Sequence, residues 1–232
     1  MTRALQFWHI SPNSGTLAYG CRMSEISVVA PLRVIDHDVA GPARPDDLAK
    51  LSAPLTSMLT SELDEPQRYL GVTTDELLIA ALSRAVARTI GNGDAYVDDG
   101  RGRPIPLTCS SSRGTDATEV LLSVRRALAA VHHRSVDGAW PRADVFFSRI
   151  DSGSESTFGD LPPADMLSER GYALAVGVYR TGDLLHMDWW YDSRRLDQGT
   201  VAELTEQFPL ALIELTSEAS PPSQRDAPLA MA

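Results

Sequence analysis

The sequence predicts an α/β fold, a two-layer sandwich in which a mixed β-sheet carries helices packed on one face. Three stretches point there. Between Gly71 and Arg103, Thr73 and Glu76 stand in capping-box register, and Leu77, Leu78, Ala81, Leu82, Val86 and Ile90 return at three- and four-residue steps. The Gly91-Asn92-Gly93 turn stops that helix, and Ala95, Tyr96 and Val97 suit a strand. Thr115 to Val131 repeats the helical spacing through Val120, Leu121, Val124, Leu128 and Val131. Last, Tyr172 to Tyr179 and Leu184 to Tyr191 flank Thr181-Gly182-Asp183 and read as an antiparallel hairpin.

The remaining elements follow in chain order. Residues 1–24 mix aromatics with Pro, Asn and Gly and form an N-terminal arm anchored by Phe7 and Trp8. Residues 25–218 form one domain and 219–232 a Pro/Ser/Ala-rich disordered tail. Glu25 to Val39 reads as a strand with Pro31 at an edge or bulge, and His37 as a surface pair with its neighbouring aspartates. After the Gly41–Pro45 breaker cluster, Asp46 or Asp47 caps a helix with Leu48, Leu51, Leu55, Met58 and Leu59 on one face. Pro104 to Cys109 is a short strand, as are Val145, Phe146, Phe147 and Ile150, and Asp151 to Gly159 is a mobile loop. A final helix begins near Thr200, with Glu203 as its capping-box partner and Pro209 as a kink.

Composition removes several classes of function. A formal net charge of -10 with no Lys/Arg run excludes a nucleic-acid surface, and by bulk charge disfavours phosphates as partners. No apolar stretch approaches the roughly 20 residues that cross a bilayer, and the N-terminus lacks the order of a signal peptide, so the expected setting is cytoplasmic without membrane contact. Two cysteines, Cys21 and Cys109, make neither a disulfide framework nor a metal motif and read as buried small hydrophobes. Ser148 and Ser152 lie in no nucleophile elbow, which leaves a hydrolase triad unsupported.

The Gly71–Arg103 stretch resembles the second half of the condensation and epimerisation domains of nonribosomal peptide synthetases. There a Thr-rich cap, an "LLxAALxxAVxRxxG" helix, a strand and a Gly-Arg loop follow one another. Asp99-Gly100-Arg101-Gly102-Arg103 falls on the epimerisation-type loop Glu-Gly-His-Gly-Arg, with Asp for Glu and Arg for His. Gly182, Leu184, Asp188, Trp189, Trp190 and Tyr191 resemble the family's "G-x-L-x-x-x-W-x-Y" strand. The resemblance runs from Ile26 to Glu218 and implies the half-domain fold that chloramphenicol acetyltransferase shares. It also implies work on an acyl or peptidyl thioester held on a carrier protein's own phosphopantetheine, with no dissociable cofactor. A full condensation domain has two such halves with the active site in a tunnel between them, so a single half implies a partner synthetase, a carrier protein or a homodimer.

The same resemblance supplies candidate site residues. Asp99 would remove a proton alpha to a thioester carbonyl, with Arg101 or Arg103 steadying the charge that develops; read alone, the loop is a solvated turn. Asp is one methylene shorter than the family's Glu. His132-His133-Arg134-Ser135-Val136-Asp137-Gly138 matches the family signature His-His-x-x-x-Asp-Gly, which the family carries in its other half. An imidazole suits a general base at neutral pH, a role His133 would take, whereas a His pair closing a helix also answers the helix dipole, and Asp137-Gly138 is an ordinary turn pair. Trp189 is the remaining candidate for a substrate contact, against a core role. Phe7, Trp8, Trp140, Trp189 and Trp190 are more aromatic surface than a small acidic monomer buries alone, which favours an assembly. A non-catalytic accessory protein that docks on a synthetase or carrier protein is the alternative to an enzyme.

Overall fold

The structure, a computed structural model, describes residues 31–64, 70–100, 104–111, 115–133, 141–150 and 163–219. The N-terminal arm, Cys21, Arg101, Arg103, the Arg134–Gly138 part of the His motif, Trp140, the 151–159 loop and the tail from Ser220 lie outside the described residues. Six strands form one sheet in the order β1-β6-β5-β4-β2-β3. They are β1 (Leu48–Pro54), β2 (Gly93–Asp98), β3 (Ile105–Cys109), β4 (Val145–Ile150), β5 (Leu174–Thr181) and β6 (Leu184–Asp192). β4 runs parallel to both β2 and β5, and the other pairs are antiparallel, so the sheet is mixed as expected. The β5–β6 hairpin pairs over its full length, from Leu174 opposite Tyr191 to Thr181 opposite Leu184.

Helices α1 (Ser57–Asp64), α2 (Thr74–Thr89), α3 (Ala117–His133) and α5 (Gln198–Glu218) form the layer on one face. Centrally placed α2 is buried almost all round, with Leu78, Ala80, Ala81, Leu82 and Ala85 inaccessible, and it packs most heavily on α5. Its capping box forms as the sequence predicts: the Glu76 amide donates to Thr73 Oγ1 (3.1 Å) and the Thr73 amide donates to Glu76 Oε2 (2.7 Å). Arg125 of α3 then donates from Nε to Glu76 Oε1 (3.0 Å), so the cap also ties two helices together. Burial pushes the Glu76 carboxyl up, but the Arg125 and Thr73 hydrogen bonds outweigh it and hold the pKa below its ordinary value. At the other end Gly93 (φ +152) lies against the chain segment before β1, where a Cβ would meet the Leu32 Cβ at 3.1 Å.

Five points differ from expectation. Leu48–Pro54 is an edge strand paired with β6 instead of a helix. Its apolar residues serve a period of two, with Ala49 and Leu51 on the helix layer and Leu48 on the other face, and the helix starts only at Ser57. The described part of the expected 25–39 strand is irregular: Leu32 donates its amide to the Asp94 carbonyl (2.8 Å), and Val34 donates to Asp144 Oδ2 (3.2 Å). These bonds wedge the segment where β2 and β4 part, since those strands pair only at Val97 and Asp98. The last helix starts at Gln198 with Asp197 as N-cap, ahead of Thr200, and the Asp197 amide donates to the Asp36 carboxylate (2.8 Å). His37 pairs with Asp197 (3.2 Å) instead of its chain neighbours. Finally, a short helix α4 (Pro163–Arg170), which no periodicity announced, covers part of the second face through Met166 and Leu167. Cys109 is buried as expected, and that burial pushes its thiol up to about 12.

Candidate functional site

Strand pairing places side chains of the second sheet face in rows that cross the strands. One row reads Lys50, Trp190, Ala175, Phe146 and Asp98, from edge strand β1 to β2. The next reads Ser52, Asp188, Gly177 and Ser148, and a third Pro54, His186, Tyr179 and Ile150. At the β1 side the polar groups bind one another: Lys50 Nζ meets Asp188 Oδ2 (2.7 Å) and lies 4.9 Å from the Trp190 ring centroid. Ser52 Oγ donates to Asp188 Oδ1 (2.8 Å), and the Tyr179 and His186 rings stack at 5.5 Å. In the middle, Gly177 has no side chain, and both it and Ser148 are buried.

At the β2 side Asp98 is held on both oxygens. The Tyr172 hydroxyl donates to Oδ2 (2.6 Å) and the Gly100 amide donates to Oδ1 (2.8 Å), which closes an Asx-type turn around Asp99. Burial first, and then the Asp98 carboxylate, push the Tyr172 hydroxyl above its ordinary value, so it stays a donor. Asp99 is the first residue off the strand and is 9% exposed. It therefore sits as a largely sheltered carboxylate at the head of a glycine turn (Gly100, φ +82). Arg101 and Arg103, expected beside it, are outside the described residues.

The other candidates separate. His132 and His133 are the last two residues of α3, in the helix layer, and Asp137 is outside the described residues. Arg125 of α3 reaches the N-terminal cap of α2, and Arg149 of β4 pairs with Asp75 there (2.5 Å), so the C-terminal half of α3 and the ends of β2 and β4 share one end of the sandwich in different layers. Trp189, expected as a substrate contact, is 1% exposed on the helix side, edge-to-face with Phe208 at 5.7 Å, and has no open face for a ligand. Among the described residues its neighbour Trp190 is the tryptophan on the second face. Alternation could have shown this, because Leu185, Met187, Trp189 and Tyr191 form the apolar phase of β6 and His186, Asp188 and Trp190 the other. Lys50 and Ser52 escape sequence reasoning because their segment reads as a helix. Among the described residues no group of His, Cys, Asp and Glu is arranged to hold a metal ion, and no helix is long and apolar enough to cross a membrane.

No protein-family model matches the chain. It is 32% identical over 226 residues to a component of the phenolphthiocerol/phthiocerol polyketide synthase of Mycobacterium tuberculosis, covering 78% of this chain and 15% of that protein. Against a component of the linear gramicidin synthase of Brevibacillus parabrevis the identity is 24%, over 72% of this chain and 4% of that one. The chain thus spans a small part of the curated relatives it matches. Among solved structures, the epimerization domain from the third module of tyrocidine synthetase B superposes with a TM-score of 0.62 at 16% identity, over 83% of this chain and 52% of that one. A condensation domain of the enacyloxin polyketide synthase gives 0.56 at 14% identity, over 82% and 44%. The X-domain of teicoplanin biosynthesis, solved with OxyB, gives 0.59 at 19% identity, over 84% and 51%. Over most of its length this chain has the condensation and epimerisation domain fold, of which it spans about half.

Proposed function

We propose that this half-domain serves natural-product assembly, of nonribosomal peptides or polyketides, and acts on an acyl or peptidyl thioester presented by a carrier protein. The observation that carries the reading is the Asp98–Gly100 turn, where the Tyr172 hydroxyl and the Gly100 amide fix Asp98 and so fix the place of Asp99. Asp98 is the positioning carboxylate. Asp99 is assigned the proton transfer, taking the hydrogen alpha to the thioester carbonyl as the C–H electron pair moves into the enolate. Arg101 is assigned to that enolate's charge. A complete tunnel needs a second half, from another polypeptide, a second copy of this chain or further sequence; the chain covers 52% of the solved epimerization domain. That same share favours a second reading, an accessory protein that keeps the fold to dock on a synthetase.

The deciding experiment mixes the protein in D2O with an acyl or aminoacyl thioester carried on phosphopantetheine and follows α-deuterium incorporation by mass spectrometry. Protein-dependent exchange supports the enzyme. Binding of the loaded carrier with no exchange above the protein-free rate supports the accessory role.

A further inference from the structure

At the N-terminal ends of β4 and β5 three guanidinium groups stand in a chain around two acceptors. Arg33 donates from Nε to Asp144 Oδ2 (2.7 Å) and from Nη2 to Oδ1 (3.0 Å). Arg195 donates from Nη2 to that same Oδ1 (3.0 Å) and from Nη1 to the Gly171 carbonyl (3.0 Å). Arg142 donates from Nη2 to the Gly171 carbonyl as well (2.5 Å). Among the described residues Asp144 is the one carboxylate in contact with this trio, and Asp38 acts on Arg33 only at longer range.

Among the described residues, then, three guanidinium charges meet one carboxylate, in a chain whose formal net charge is -10. Arg195 is sealed underneath, its side chain 3% exposed and its Nε without a partner, so its charge is felt through a poorly screened interior. Arg33, with 41% of its side chain exposed, and Arg142, also exposed, both reach solvent. Gly171 contributes shape: a Cβ there would meet Arg142 Nη2 at 2.9 Å, so glycine lets that guanidinium lie against the backbone.

We propose that Arg33 and Arg142, braced by Arg195, bind a small tetrahedral oxyanion of the phosphate class. Guanidinium forks match such an anion geometrically, and each charge-assisted bond is stronger than a neutral one. The bulk negative charge repels anions at a distance, so recognition here is short-ranged. The anion is either inorganic phosphate or the phosphate ester of a larger ligand. This inference stands on the arginine geometry and does not depend on the role of Asp99.

Isothermal titration of the full chain at constant ionic strength tests it, with inorganic phosphate in one arm and pantetheine 4′-phosphate in the other. We expect saturable binding of at least one, weakened about tenfold or more in Arg142→Gln and in Arg33→Gln, as the loss of one charge-assisted hydrogen bond implies. Arg142→Lys keeps the charge, guards against misfolding and still weakens binding because the fork is gone. Arg126→Gln, an exposed arginine on α3, leaves binding unchanged. Tighter binding of the ester supports the site with a larger ligand as its source, and equal binding supports it with free phosphate. No saturable binding of either anion, or wild-type affinity in both Gln variants, overturns the proposal.

Discussion

On β6 the side chains of Leu185, Met187, Trp189 and Tyr191 enter the helix layer, while His186, Asp188 and Trp190, one residue out of phase, line the other face. The first set packs under α1 and α5 and contains no charge. The second pairs Asp188 with Lys50 and Ser52, lays Lys50 over Trp190, and runs across Gly177 and Ser148 to the Asp98–Tyr172 bond. One strand thus carries an apolar phase and a polar phase, and adjacent residues differ in kind. Burial of apolar area dominates the first face, while the second adds satisfied polar pairs, part-exposed at Lys50 and Asp188 and buried at Asp98 and Tyr172.

The tryptophan pair separates the two faces by the largest expected margin. Trp189→Ala removes a ring packed on Phe208 and should cost about 3–5 kcal/mol in urea unfolding. Trp190→Ala removes a partly exposed cation–π partner and should cost about 0.5–1 kcal/mol beyond its lost area. Equal losses would erase the distinction between the faces.

A smaller effect sharpens the account of the helix layer. Glu76→Gln should cost about 1 kcal/mol at neutral pH, the scale of a helix cap. The folded pKa of Glu76 lies below the 4.5 of an ordinary glutamate, so its ionised form contributes fully above that value. The contribution is lost as pH falls through the depressed folded value, and the stability gap between wild type and variant should therefore narrow below pH 4.5. A gap that stays constant down into strong acid would show that the charge on Glu76 is not what holds the cap.

The capped helix α2, the β5–β6 hairpin and the strands at Ile105 and Val145 are legible in the sequence because local signals and tertiary environment agree there. Thr73-x-x-Glu76 is a local chemical fit, and the Thr181–Asp183 turn brings two strands together with little help from the rest of the chain. Leu48 to Leu59 misleads because leucines at helical steps also satisfy a strand followed by a helix, and only the free edge of β6 decides between them. The short helix α4 carries too few apolar residues for a period to show. At the site, Asp99 is visible through its glycine turn and its resemblance to a known loop. Its holders are not, because Tyr172 reaches Asp98 across 74 residues of chain and no spacing encodes that bond. The arginine cluster is hidden in the same way, in an acidic chain whose bulk charge argues against it.

On the proposed function a carboxylate at the end of β2, and not the histidine pair closing α3, carries the chemistry. Asp99→Asn and His133→Ala, compared with wild type in the α-deuterium exchange of a carrier-bound thioester, test it most directly. Positioned proton transfer is typically worth about a hundred- to ten-thousand-fold, so Asp99→Asn should lose at least the lower figure while His133→Ala exchanges at close to the wild-type rate. Full exchange in Asp99→Asn together with its loss in His133→Ala would contradict the account and move the base to the end of α3.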